Sequence, residues 1–206
     1  MNDSRKTIQT IFLFGGLWGI AEATLGYLLH FLPTGFSGMI MFPIGFYFMF
    51  NAFKITGKQS AIFYTALIAA GIKSMDVLLP GTAAVRVINP AVSIVLESLV
   101  VFAFARFYME ERVFSMSFAM GLGWVLLFIG AQALILKPAE GLYLMPVSQM
   151  LAFIAMNTVV SGFLVGAYLK KSVVLDWRLN FQKLSFVQPV MIIVLAVLCE
   201  IGNSLI

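Results

Sequence analysis

The chain has 206 residues, 61% of them hydrophobic and only 11% charged, with a mean hydropathy of +1.00. A soluble domain of this size carries about a quarter of its residues charged, so the composition predicts an all-α integral membrane protein and excludes most soluble enzyme classes. There is no G-x-x-x-x-G-K-[ST] phosphate loop, C-x-x-C pair or H-E-x-x-H helix, and one histidine with one cysteine cannot close a zinc site. The chain is therefore read as a non-enzyme without a cofactor or metal, and ATP-driven work would need a partner subunit. Cys199 alone forms no intrachain disulfide, and no chemistry is assigned to it beyond burial.

Apolar stretches long enough to cross a bilayer, about 17 to 25 residues each, fall at roughly 8–32, 36–52, 61–79, 90–108, 114–136, 148–169 and 186–205. Together they predict a single transmembrane domain over 1–206, a bundle of about seven helices, with six as the lower count. The first stretch mimics a cleavable signal peptide through Arg5, Lys6 and Ala21-Glu22-Ala23, but its apolar run continues to Leu32, so a retained first span is expected. In the second, Gly38, Pro43 and Gly45 interrupt the run, which is compatible with a kinked span or a re-entrant element. Asn89 and Pro90 read as an N-cap followed by proline at the first helical position, so the fourth helix is expected to begin there. Pro33, Pro90 and Pro146 recur at nearly equal intervals, which fits either three helical hairpins or lengths set only by bilayer thickness.

The basic residues orient the chain. With seven spans and a cytoplasmic N-terminus, Arg5, Lys6, Lys54, Lys58, Arg106, Arg112, Lys170, Lys171, Arg178 and Lys183 lie inside, and only Arg86 and Lys137 lie outside. That bias predicts a multi-pass protein of the cell membrane. It also accounts for the net charge of +4 without a nucleic acid. The inner connection from Lys170 to Lys183 carries four basic residues with Trp177 and Phe181 four apart, as expected of a segment lying among anionic headgroups or docking a cytoplasmic partner.

Five ionisable residues fall at bilayer depth, where each costs roughly 2.5 to 3.5 kcal/mol on insertion scales unless paired, solvated or neutral. They are Glu22 in the first span, Lys73 and Asp76 in the third, Glu97 in the fourth and Glu200 in the last. Lys73 and Asp76 share a helix face, so they are expected to pair with each other. That leaves Glu22, Glu97 and Glu200 unpaired, with Asn203 one turn beyond Glu200, Gln132 and Gln149 near outer helix ends, and Trp18 four residues before Glu22. Taken singly, each acid reads equally as neutral interhelical glue. Taken together, their outward bias points to a pocket for a cationic or multiply hydrogen-bonding ligand, or for protons. Trp18 either stacks on that ligand or fills the core.

Gly15, Gly19 and Ala23 recur every four positions, as do Ala119 with Gly123 and Gly162 with Gly166. Small residues at this spacing let helices approach closely, either inside the bundle or against another subunit; the first stripe is the candidate face for a partner. In size, layout, small-residue stripe and outward polar bias the whole chain resembles the substrate-binding S component of energy-coupling-factor transporters. The resemblance implies capture of a vitamin-like or metal-related micronutrient near the outer surface. It further implies a transmembrane scaffold docking on Gly15, Gly19 and Ala23, with ATPase subunits powering uptake. One departure is the span count: that family has six spans with both termini inside, against the seven expected here. A proton- or cation-coupled secondary carrier and a non-catalytic structural subunit of a membrane complex are the alternative readings.

Overall fold

The structure, a computed structural model, describes residues 3–29, 31, 36–78, 84–107, 112–138, 141–171 and 186–204. Among them every regular element is helical. In hydrocarbon a backbone must satisfy its own polar groups, and the helix does so within one segment.

The first helix, α1, runs Asp3–Ala21 and continues through a π-turn, Glu22–Gly26, into a last turn, Tyr27–Leu29. Next come α2 (Phe36–Thr56) and α3 (Ser60–Ser74), the latter ending in a 3₁₀ turn, Met75–Leu78. Then follow α4 (Ala84–Ala105) and α5 (Val113–Ala131), which a second π-turn, Gln132–Leu136, extends. The last two are α6 (Val147–Lys171) and α7 (Val187–Ser204). The first six are long and apolar enough to cross a membrane, and the seventh apolar helix is shorter. At 1.5 Å per residue the 18 residues of α7 extend about 27 Å, close to the thickness of a bilayer core. Large apolar side chains face outward along these helices, with Leu134 and Ile135 78% and 77% exposed. Such surfaces are stable against lipid tails and not against water. The protein is an all-α, multi-pass membrane bundle.

Helix ends show how the chain alternates direction. At one end Lys58, between α2 and α3, pairs with Asp3 at 2.8 Å and donates to Thr7 Oγ1 at 3.1 Å, while Gln59 donates to the Phe102 carbonyl near the end of α4. At the opposite end Lys73 near the end of α3 meets Glu200 near the end of α7. Helix α7 runs parallel to α1, from Phe186 beside Phe12 at 6.1 Å between ring centroids to Ile192 against Gly16. Asp3 and Ser204 therefore lie at opposite ends of the bundle.

Helix α2 sits centrally, touching α1, α3, α4 and α6, and its Phe42, Phe46 and Met49 are fully enclosed beside Trp18 and Trp124. It is one continuous span, although Pro43 has no N–H to give the carbonyl of Met39 one turn back. Ser161 on α6 supplies the missing donor, its hydroxyl reaching the Met39 carbonyl at 3.2 Å. The turn leaving α2 needs a left-handed residue, and Gly57 takes it at φ 67° while its N–H bonds the Phe53 carbonyl at 2.8 Å.

Three expectations are corrected. Helix α4 begins at Ala84, so Pro90 lies inside it and Asn89 is not its cap. Pro90 is the seventh residue of this helix and forgoes one helix bond, to the carbonyl of Arg86; the helix nevertheless extends toward its N-terminus past the expected start. Pro146 does directly precede α6, whereas Pro33 lies outside the described residues, so the hairpin repeat loses its middle member. Finally, the small-residue stripe of α1 is filled from within the chain. A Cβ on Gly15 would lie 2.7 Å from the Ile68 Cβ and one on Gly19 2.6 Å from Ile72 Cδ1, both on α3, and Ala23 is buried. Gly162 and Gly166 seat Phe118 and Phe114 of α5. Gly121, rather than Ala119 or Gly123, approaches the α6 backbone, at Thr158.

Candidate functional site

Four helices converge on one polar cluster. Helix α1 supplies Trp18 and Glu22, α3 with its 3₁₀ turn supplies Lys73 and Asp76, α4 supplies Ser93 and Glu97, and α7 supplies Glu200. Glu22, Asp76, Glu97 and Glu200 are all buried. The cluster brings together every ionisable group that the sequence places at bilayer depth.

The pairing of Lys73 with Asp76 is as expected, Nζ to Oδ2 at 2.9 Å on one helix face. The expectation that Glu200 stays unpaired is corrected: Lys73 also donates to Glu200 Oε1, so one ammonium bridges two carboxyl groups. The tertiary parallel course of α1 and α7 beside α3 is what brings residue 200 to residue 73.

Glu22 and Glu97 form the second half of the cluster. The indole N–H of Trp18 donates to Glu22 Oε1 at 3.1 Å, one turn away, and the Ser93 hydroxyl donates to Glu97 Oε1 at 3.2 Å. The two carboxyls lie within electrostatic reach of each other, and Glu22 is also within reach of Lys73. Gly45 of α2 forms the floor between them: a Cβ there would overlap the Trp18 ring and stand 2.9 Å from Glu97 Oε2. Only glycine allows α2 to approach so closely. Trp18 thus fills core volume and orients Glu22 at the same time. The π-turn at Glu22 widens α1 where its buried carboxyl turns into the bundle.

Three buried carboxyl oxygens, Asp76 Oδ1, Glu97 Oε2 and Glu200 Oε2, receive no hydrogen bond among the described residues. With four acids and one lysine the cluster carries more carboxyl groups than cations. Such a site draws protons or a positively charged group, because an uncompensated buried carboxylate is costly.

Other sequence candidates lie elsewhere. Gln132 is buried, and its Oε1 accepts the Leu142 N–H at 2.9 Å, so it ties the end of α5 to the following turn. That local backbone bond makes it a structural cap rather than a member of the cluster. Gln149 is exposed, Asn203 lies in α7 with its side chain outside the description, and the connection with Trp177 and Phe181 also lies outside it. Ser93 is signalled in the sequence only by its spacing of four from Glu97, and Gly45 reads there only as a helix breaker. No protein-family model, no curated protein and no solved structure matches this chain.

Proposed function

We propose that this chain is a membrane-embedded substrate-binding subunit for uptake of a small vitamin-like or cationic micronutrient across the cell membrane. The N-terminus is cytoplasmic in this reading, which puts the polar cluster toward the outer side, and partner subunits supply the energy. The observation that supports it is the excess of buried carboxyls over the single Lys73, with Glu97 Oε2 left bare in the interior. The resemblance to S components supports the same role. A scaffold would dock on another face than Gly15, Gly19 and Ala23, since α3 covers the two glycines and Ala23 is buried. The second reading, a proton- or cation-coupled carrier, draws on the electrostatic continuity from Glu97 through Glu22 to Lys73.

The two differ in what the chain does alone. Proteoliposomes holding only this chain are incubated with an extract of small cationic metabolites, and retained solutes are identified by mass spectrometry. The proposal expects a solute retained in proportion to protein and not increased by an imposed proton or sodium gradient. Gradient-driven accumulation would show the carrier instead, and no retained solute would leave a structural subunit.

A further inference from the structure

The end of the bundle that holds Asp3 carries a ring of cations far from the acid cluster. Helices α2, α4, α5 and α6 part there around a water-sized apolar cleft, whose lining includes Phe50, Ala105, Met116 and Leu169, one from each helix. Each of these stands within one helical turn of a basic residue. Lys54 is four beyond Phe50, Arg106 follows Ala105, Arg112 is four before Met116 and Lys170 follows Leu169. All four basic residues are exposed. Lys54 Nζ lies over the Phe50 ring at 5.5 Å from its centroid, and Lys170 Nζ over the Phe114 ring of α5 at 5.7 Å, so both ammonium groups are held at the edge of apolar surface. Among the described residues none of the four pairs with a carboxyl group, and the one acid at this end, Asp3, is taken by Lys58. Glu110 and Glu111 lie outside those residues.

Apolar surface leads away from two of these cations along the membrane. On α4 Leu99, Phe102 and Arg106 recur at helical spacing, as do Arg112, Ala119 and Leu122 on α5, and all six are exposed. The two helices adjoin at Val100 and Gly123. Each thus presents an outward face that is hydrocarbon along its length and cationic at its end.

We infer that this ring binds one anionic phospholipid, its phosphate at Arg106 and Arg112 with Lys54 and Lys170 beside them, and its acyl chains along the exposed faces of α4 and α5. Charge complementarity names the occupant. Four cations without an acid offer a site to an anion, guanidinium groups take phosphate oxygens two at a time, and the apolar faces beneath suit a molecule that continues as hydrocarbon. The tails lie on the outer surface and need no interior volume; the cleft only parts the helix ends so that four basic side chains stand around one point. With the N-terminus inside, this is the inner leaflet. The site is separate from the Glu22 and Glu97 cluster and does not depend on the proposed solute-binding role.

A cation beside an anionic lipid is worth on the order of fivefold in affinity. Native mass spectrometry of the full chain, from micelles holding equal phosphatidylglycerol and phosphatidylcholine, tests the site. One phosphatidylglycerol should stay bound under activation that strips phosphatidylcholine. Arg106→Gln with Arg112→Gln should lower its retention tenfold or more, whereas Arg5→Gln with Lys6→Gln, which removes the same charge from α1 at the same end, should leave it near wild type. Lys54→Gln with Lys170→Gln should also lower it, and gives a second reading if the arginine variant fails to fold. Equal losses from the α1 pair and the ring would show a diffuse positive surface and overturn the inference. So would equal retention of the two lipids, displacement by millimolar inorganic phosphate, or a ring variant that holds phosphatidylglycerol as wild type does, which would leave the cations free for an acidic protein partner.

Discussion

Lys73 holds two acids in place from inside the membrane, and what it touches depends on distance along the chain. Its bond to Asp76 was legible in the sequence, because residues three apart on a helix share a face. Its bond to Glu200 was not, because a partner 127 positions away leaves no local pattern. The same contrast holds for Trp18 with Glu22, legible at a spacing of four, and for Glu22 with Glu97, which depends on how α1 and α4 meet across Gly45. Removing the ammonium leaves Asp76 and Glu200 uncompensated, and breaking a buried pair in this way costs roughly 3 kcal/mol. Lys73→Met should therefore lower the melting temperature clearly, and adding Glu200→Gln should recover much of the loss. A Lys73→Met protein that melts like wild type would show that the bridge contributes nothing.

At the scale of helices, association in a bilayer relies on close packing of small residues, since lipid tails are as apolar as leucine. Gly15 and Gly71 make opposite predictions on this ground. A methyl on Gly15 meets the Cβ of Ile68, which belongs to no flexible tip, and the Thr65 carbonyl at 3.0 Å. Gly15→Ala should destabilise the bundle by about 1 to 3 kcal/mol. Gly71 on α3 has nothing within 4 Å of a Cβ, so Gly71→Ala should stabilise it by up to about 1 kcal/mol through helix propensity. Thermal unfolding in one detergent reads both, and equal effects would contradict the packing assigned to α1 and α3. The hydropathy pattern located the seven described helices to within a few residues, apart from the starts of α1 and α4, which lie five and six residues earlier than expected. Hydropathy records how deep a residue lies and not which neighbour it faces, so whether the α1 stripe served the bundle or a partner was open until α3 was seen against it.

Across the molecule, the seven helices among the described residues run in alternation and set Asp3 and Ser204 at opposite ends, and the acid cluster lies at the end away from Asp3. The proposed orientation, with the N-terminus inside, follows from the distribution of the basic residues. In a protein with Cys199 replaced, a cysteine at Arg112 should then resist an impermeant thiol reagent applied from outside, and one at Lys137 should react; the reverse pattern would invert the orientation. Under the proposed function, that orientation would put the cluster on the side from which a solute arrives. The proposed function requires Glu22 and Glu97 to act as a recognition site rather than as glue between α1 and α4. Native mass spectrometry of the full chain released from detergent tests this most directly. The wild-type protein should carry a small solute adduct that is absent from a Glu22→Gln, Glu97→Gln double variant of equal thermal stability. A variant that keeps the adduct would contradict it.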